Sequence, residues 1–199
     1  MRRIARVARR KLNAFGSTVW WHWAGRPAPP PPHVKHAFLR RIARRNRLRV
    51  FVETGTFYGD TLEAMRDLVD ELHSIELSAK LYQAARLRFA GNPKIRLWHG
   101  DSGEVLGTVL NVVRRPALFW LDGHYSMGET ARGSEDTPIR RELSQIANHP
   151  LRLQHVVVID DARCFCGANG YPDVADLKAF SERLGFRGFQ IVDDLFVLQ

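Results

Sequence analysis

Residues 49–61 read RVFVETGTFYGDT, a short apolar run followed by a turn that contains two glycines. The apolar run is typical of a buried strand, and it ends in an acid, Glu53. Gly55 and Gly59 permit a tight turn and let a ligand approach the backbone closely before a helix begins. The segment therefore predicts a strand, a ligand-binding turn and a helix in succession.

The same alternation of short apolar runs with helical patterns continues along the chain. Strands are predicted at 49–53, 73–76, 95–98, 117–122 and 155–160, and helices at 33–45, 61–69, 79–89, 103–113, 138–147 and 172–184. Two further apolar runs, Phe189–Val192 and Leu195–Leu198, are joined by two aspartates and predict an antiparallel hairpin. The expected fold class is α/β: a Rossmann-like, mostly parallel seven-stranded sheet with a C-terminal antiparallel hairpin and helices on both faces.

The positive charge is confined to one part of the chain. The net charge is +9, but residues 1–50 hold fourteen Lys or Arg and no acid, so the remainder has 16 basic and 21 acidic residues, a balance of −5. A nucleic-acid-binding core is expected to carry its own basic face. The charge distribution therefore argues against nucleic acid as the partner of the globular part.

Residues 1–32 are predicted to be a separate arm, and residues 33–199 the domain. Residues 2–15 have a basic amphipathic pattern, three tryptophans follow at positions 20, 21 and 23, and Pro29 to Pro32 form an extended spacer. One interpretation is peripheral contact of residues 1–25 with an anionic membrane. The alternative is a solvated arm whose aromatic residues dock on the protein itself. With two cysteines and no apolar run long enough to span a bilayer, we expect a cytoplasmic protein, with that membrane contact peripheral.

An acid stands at or just after the end of each of the five predicted parallel strands. These acids are Glu53, Glu76, Asp101, Asp122 and Asp160. In open parallel sheets, ligands bind beyond the carboxyl ends of the strands, where the strand order reverses. An acid about twenty residues after the glycine turn is placed to accept hydrogen bonds from ribose hydroxyls. The five acids therefore predict a nucleotide-like ligand at one edge of the sheet.

The first turn lacks the Gly-x-Gly-x-x-Gly spacing of dinucleotide-binding domains. Its pattern, Glu53-x-Gly55-Thr56-x-x-Gly59-x-Thr61, resembles instead the first motif of class I S-adenosylmethionine-dependent methyltransferases, especially the small catechol and caffeoyl-coenzyme A O-methyltransferase type. The stretches at 121–126, 136–138 and 159–163 also resemble uncharacterised bacterial methyltransferase-like proteins. The resemblance covers residues 48–199 in element order.

The resemblance implies S-adenosylmethionine as the cofactor. Glu53 and Gly55 would line its methionine end, Glu76 would hold the ribose, and Asp101 with Ser102 would border the adenine. The full set of predicted cofactor-binding residues is Glu53, Gly55, Thr56, Gly59, Thr61, Glu76, Asp101, Ser102 and Asp122.

Methyl transfer to an alcohol requires that the hydroxyl lose its proton, and two devices for this are predicted. The catalytic candidates are His124 and Asp122, with His124 as a base; the alternative is that His124 only hydrogen-bonds a strand end. The second device is Mg²⁺ bound by Asp122, Asp160 and Asp161, as the resemblance implies. The alternative there is that Arg163 or another basic residue neutralises the acids. The catechol type has a lysine shortly after the fourth strand, but this chain has His124 and Ser126 there.

These observations predict a methyltransferase that acts on an oxygen of a small-molecule, sugar or lipid-linked acceptor. The alternative is a non-catalytic, cofactor-binding scaffold that the basic arm recruits to a membrane or partner.

Overall fold

The structure is a computed structural model that describes residues 16–122, 137–168 and 170–199. Its strands are β1 (Val50–Thr54), β2 (Glu71–Glu76), β3 (Ile95–His99), β4 (Ala117–Leu121), β5 (Val156–Ile159), β6 (Phe189–Val192) and β7 (Leu195–Leu198). Its helices are α1 (described part, 16–23), α2 (Pro32–Arg45), α3 (Asp60–Met65), α4 (Ala79–Arg88), α5 (Ser102–Leu110), α6 (Ile139–Ala147) and α7 (Val174–Arg183). Two short 3-10 helices span Arg152–Gln154 and Ala162–Cys164.

The seven strands form one sheet in the order β3-β2-β1-β4-β5-β7-β6. Strands β1 to β5 are parallel, with Val50 opposite Glu71 on one side and Ala117 on the other. Strand β7 is antiparallel to both β5 and β6. The predicted fold class is confirmed, including the terminal hairpin with its predicted bounds.

Hydrophobic cores lie on both faces of the sheet because successive residues of a strand point to opposite sides. In β1, Val50 and Val52 belong to the core beneath α5, α6 and α7, whereas Phe51 belongs to the core beneath α2, α3 and α4. All five residues of β1 are buried. The central strand is therefore covered on both sides, as in other parallel sheets.

Several helices are shorter than the apolar pattern predicts. Helix α3 ends at Met65 rather than near residue 69, where Leu68 donates its backbone N–H to the carbonyl of Met65 in a tight turn. Helix α7 begins at Val174 because the Asp173 side chain caps it by accepting a hydrogen bond from the backbone N–H of Asp176.

Helix α1 is tied to the rest of the protein by Trp21 and its neighbours. Trp21 is buried, and its indole N–H donates to the carbonyl oxygen of Pro27 at 2.8 Å. Thr18 lies within hydrogen-bond distance of His33 in α2, and Arg26 forms an ion pair with Asp193 between β6 and β7. The division of the chain between residues 32 and 33 stays a prediction, and the helix predicted at 2–15 lies outside the described residues.

Within the described ranges, no helix combines the length and apolar character that crossing a bilayer requires.

Candidate active site

The strand order reverses between β1 and β4, so the crevice typical of this kind of sheet lies beyond the carboxyl ends of these two strands. Thr54 and Leu121, the last residues of β1 and β4, lie opposite each other. Glu53 therefore stands on one side of the reversal and Asp122, directly after β4, on the other. Glu76 ends the next strand, β2, on the Glu53 side.

Glu53 is a buried carboxylate with one oxygen bound and the other without a donor. Ser74 on β2 donates a hydrogen bond of 2.6 Å to Oε1 of Glu53. Oε2 is equally buried, but it accepts no hydrogen bond from any described residue. Burial raises the pKa of Glu53 well above its ordinary value, and the nearby Asp122 and Glu76 raise it further. A buried carboxylate of this kind fits a ligand that brings a positive charge, such as the ammonium of an amino acid.

Glu76 binds the glycine turn with one carboxylate oxygen and the N-cap residue of α4 with the other. Oε2 accepts the backbone N–H of Phe57 and Oε1 accepts that of Ser78, each at 2.8 Å. These two bonds fix the carboxylate at the end of β2, next to the strand reversal. Each oxygen keeps a further lone pair, which is the capacity needed to accept a pair of ribose hydroxyls.

The turn after β1 depends on glycine at two points. Gly55 and Gly59 have φ of 83° and 77°, a region in which other residues are strained. A Cβ on Gly59 would lie 2.6 Å from the ring of Phe89. The two predicted threonines bind protein groups here: Thr56 contacts the Ser74 hydroxyl, and Thr61 lies 3.4 Å from His36 in α2.

Asp101 and Ser102 begin α5 beyond β3. Asp101 caps the helix by accepting the backbone N–H of Gly103 at 2.8 Å, and Arg141 of α6 lies 3.6 Å from the same carboxylate. Ser102 is buried. The roles predicted for Asp101 and Ser102 at the adenine stay predictions.

The three predicted metal ligands come together. Asp122, Asp160 and Asp161 each offer a carboxylate oxygen, and these atoms all lie within 4.8 Å of one another. The cluster also contains a cation from the N-terminal part of the chain. The ammonium of Lys35 in α2 lies 2.6 Å from both oxygens of Asp160 and 3.3 Å from an oxygen of Asp161.

The cluster as arranged does not fit a magnesium ion. Its ligand type is right, because carboxylate oxygens are what Mg²⁺ binds. However, Lys35 contacts both oxygens of Asp160, and Arg163 lies 2.7 Å from Asp161. Burial lowers the pKa of Lys35, but Asp160 and then Asp161 outweigh it, so the pKa is raised and the ammonium stays charged. The contacts agree with the alternative in which a basic residue neutralises the acids.

Three residues at this edge were not singled out from the sequence: Lys35, Ser74 and Arg141. Lys35 is one basic residue among many in the first fifty, and its partner Asp160 is 125 positions away. Ser74 gave no distinct signal, because its strand also contains Glu71, His73 and Glu76. His124, the predicted base, lies outside the described residues.

No protein-family model matches the sequence, and no curated protein does so significantly. Solved structures do match the fold. A Podospora anserina methyltransferase with bound S-adenosylhomocysteine aligns with a TM-score of 0.57 and 14% identity, over 92% of this chain and 86% of that one. An O-methyltransferase of tomaymycin synthesis from Streptomyces achromogenes, in complex with S-adenosylmethionine, aligns with a TM-score of 0.57 and 18% identity, over 86% and 81%.

An O-methyltransferase from Bacillus cereus in complex with S-adenosylhomocysteine also aligns, with a TM-score of 0.57 and 16% identity, over 92% of this chain and 87% of that one. At these identities the similarity concerns the fold. Strand order, the antiparallel terminal hairpin and the acids at the strand ends agree with it. The chain therefore has the Rossmann-like fold of the class I S-adenosylmethionine-dependent methyltransferases.

Proposed function

We propose that this protein is a methyltransferase that uses S-adenosylmethionine and transfers the methyl group to an oxygen of a small-molecule, sugar or lipid-linked acceptor. The observation that carries the proposal is the buried Oε2 of Glu53, which lacks a donor among the described residues and stands at the strand reversal. A fold alone does not establish an activity. Here the activity is supported by a buried carboxylate that needs a cation and that stands in the crevice where this fold binds its cofactor.

The proposed roles follow the positions of the side chains. Glu53 accepts the cofactor ammonium, because that group would supply the hydrogen bond and the positive charge that Oε2 lacks. Glu76 accepts the ribose hydroxyls, since two backbone N–H groups already hold its carboxylate in position. Asp101 and Ser102 border the adenine, and Gly55 and Gly59 keep the turn close to the cofactor.

The acceptor is proposed to lie beside Asp122. When bound, the cofactor supplies a methyl group on a sulfonium, a leaving group that needs no further activation. The protein must then remove the proton of the attacking hydroxyl, and Asp122 or His124 would accept it. The Streptomyces achromogenes and Bacillus cereus proteins are O-methyltransferases, which favours oxygen over nitrogen as the acceptor atom.

Assistance by Mg²⁺ at Asp122, Asp160 and Asp161, expected from the sequence, is left out of the proposed function. The convergence of the three carboxylates supports it, whereas the ion pair between Lys35 and Asp160 opposes it. No step of the proposed reaction depends on the ion.

The binding proposal is tested by calorimetric titration of the protein with S-adenosylmethionine and S-adenosylhomocysteine. The wild type is expected to bind both. Glu76→Ala removes two hydrogen-bond acceptors for the ribose and should weaken binding about tenfold or more. Glu182→Ala, an exposed carboxylate on α7, is the matched control and should bind as the wild type does.

A folded wild type that binds neither ligand would overturn the proposal and favour the scaffold alternative. Methyl transfer is then followed with a methyl-labelled cofactor and hydroxyl compounds extracted from cells that express the protein. Cofactor binding without any such transfer would also favour the scaffold.

A peripheral contact of residues 1–25 with anionic lipid is proposed as a second property. In α1, Val19, Trp20 and Trp23 are 52%, 58% and 85% exposed, whereas Trp21 is buried. At 3.6 residues per turn the three exposed side chains share about 100° of the helix surface, opposite Trp21. Exposed indoles next to a strongly basic segment suit the interface of an anionic bilayer.

Vesicle sedimentation tests this contact. The protein should sediment with phosphatidylcholine vesicles that contain phosphatidylglycerol and not with phosphatidylcholine alone. Exchange of Trp20 and Trp23 for alanine should reduce the bound fraction, whereas Leu87→Ala, an exposed apolar residue on α4, should not. Equal binding to both vesicle types, or none, would contradict the proposal.

A further inference from the structure

The contact between Lys35 and the carboxylate cluster is set by the packing of α2. Phe38 and Leu39, three and four positions after Lys35, are buried in the core beneath α2, α3 and α4. Residues at these spacings share one face of a helix. Lys35 is therefore on the inward face of α2, and its side chain is only 14% exposed. The helix thus delivers the ammonium to the sheet edge rather than to solvent.

The ammonium of Lys35 binds two of the three acids of the cluster directly. Nζ of Lys35 is 2.6 Å from both oxygens of Asp160 and 3.3 Å from Oδ1 of Asp161. The ligand atoms of the three acids are all within 4.8 Å of one another, so the space between them suits one cation. A magnesium ion needs contacts of about 2.0–2.1 Å to its oxygens in near-octahedral geometry, and it would compete with the ammonium for both oxygens of Asp160.

The charges of the cluster are also compensated within the protein. Arg163 donates to Oδ1 of Asp161 at 2.7 Å and is itself held by Asp194. Three carboxylates thus face two fixed cations, Lys35 and Arg163. These two cations offset part of the repulsion that would otherwise make three clustered acids attract a divalent ion.

We infer that Lys35 takes the place of a divalent cation in the cluster of Asp122, Asp160 and Asp161. The cluster keeps the ligand type of a metal site, but the tethered ammonium excludes the ion. The inference concerns cation binding and does not require that the protein transfer methyl groups.

The test is a titration with Mn²⁺, a paramagnetic substitute for Mg²⁺, followed by the loss of the free-ion signal in electron paramagnetic resonance. The wild type should bind no ion below about 1 mM. Lys35→Met keeps an unbranched side chain, one atom shorter, and removes the charge, so it should gain one Mn²⁺ site per chain, with a Kd at least about tenfold below that 1 mM limit. That site should disappear in the double variant with Asp160→Asn.

Lys178→Met is the control for loss of a lysine elsewhere, since Lys178 is exposed on α7 and forms a weak surface ion pair with Glu182. It should bind no more Mn²⁺ than the wild type. Stoichiometric Mn²⁺ binding by the wild type that Asp160→Asn abolishes would overturn the inference. So would a folded Lys35→Met protein that gains no site. If that variant does not fold, Lys35→Ala replaces it. The Mn²⁺ titrations of the wild type and of Asp160→Asn, compared with each other, still show whether the wild type excludes the ion.

Discussion

The hydroxyl of Ser74 donates to Oε1 of Glu53 at 2.6 Å, and Oε2 of the same carboxylate is left buried without a donor among the described residues. One oxygen is thus fixed by the neighbouring strand and the other faces the proposed methionine end of the cofactor. Glu53→Gln should weaken S-adenosylmethionine binding about tenfold or more, because the amide would present an N–H₂ group or an uncharged oxygen to the ammonium. Calorimetry measures the change. Unaltered affinity in Glu53→Gln would place the ammonium elsewhere.

The same substitution should stabilise the protein without cofactor. Burial raises the pKa of Glu53 well above 4.5, so the folded state holds a proton that the unfolded state releases as the pH rises above that value. The wild type therefore loses stability on going from pH 4.5 to neutral pH, and the glutamine variant does not lose that part. Thermal unfolding at neutral pH should give a higher Tm for Glu53→Gln. Added S-adenosylmethionine should raise the Tm of the wild type more than that of the variant.

Two buried histidines at the other end of the sheet give a pH dependence of the opposite sign. Ala117 donates its N–H to Nδ1 of His155 at 3.0 Å, so Nε2 of His155 carries the proton and faces Nδ1 of His149 at 2.8 Å. Nε2 of His149 in turn faces the carbonyl oxygen of Val113 at 3.2 Å. Every nitrogen has a partner only when both rings are neutral.

Burial and then the neighbouring His149 lower the pKa of His155 to about 4. The unfolded chain takes up a proton near pH 6.5 that the folded chain does not, so stability is present above that pH and is lost as the pH falls towards 4. The loss from this group is up to about 3 kcal/mol. In His155→Asn, whose oxygen still accepts from Ala117, urea unfolding between pH 7 and 4 should show a correspondingly smaller slope. The exposed His99 is the control: if His99→Asn flattens the slope equally, the effect does not come from the buried pair.

The sheet could be predicted because its signals are local. Alternating apolar runs mark each strand, and Phe189–Val192 with Leu195–Leu198 have the bounds that the structure has. The convergence of Asp122, Asp160 and Asp161 follows from topology alone, since the carboxyl ends of neighbouring parallel strands meet at one edge.

The position of Lys35 could not be predicted, because it depends on how α2 docks. In the sequence, Lys35 is one of fourteen basic residues among the first fifty. Only the burial of Phe38 and Leu39 turns it towards Asp160. The burial of Trp21 could not be predicted for the same reason. The sequence shows three tryptophans close together, but the orientation of α1 about its axis decides which of them is buried. Sequence patterns thus predicted which acids meet and offered Arg163 as a neutralising cation, but they did not identify Lys35.

Gly59 should be less tolerant of a side chain than other glycines of the same conformation. A Cβ at Gly59 would lie 2.6 Å from the ring of Phe89, which is packed in a core and cannot move freely, whereas a Cβ at Gly91 would meet nothing within 4 Å. Both have positive φ, at 77° and 75°. Gly91→Ala should cost about 1 kcal/mol from backbone strain, and Gly59→Ala should cost about 1–3 kcal/mol more from overpacking. Urea unfolding of the two variants gives the difference. Equal costs would mean that Phe89 yields without penalty.

The turn between β6 and β7 offers a matched pair of ion pairs at adjacent positions. Asp193 and Asp194 both have positive φ, at 51° and 68°, as the two central residues of a type I′ hairpin turn require. Asp193 pairs with Arg26. Asp194, whose side chain is only 3% exposed, pairs with Arg163 and also accepts the backbone N–H of that residue at 2.8 Å.

Asparagine tolerates the same backbone conformation, so exchange of either aspartate isolates the charge. Asp193→Asn should change the free energy of unfolding by less than about 1 kcal/mol, because Arg26 is half exposed and its charge returns to solvent. Asp194→Asn should cost about 1–3 kcal/mol, because the buried side chain loses a charged partner and Arg163 retains only Asp161. Chemical denaturation at low and high salt checks both values, and only the cost at Asp193 should vanish at high salt. A larger cost for Asp193→Asn than for Asp194→Asn would contradict this. It would mean that the ion pair of Arg26 stabilises the hairpin more than the ion pair of Arg163 does.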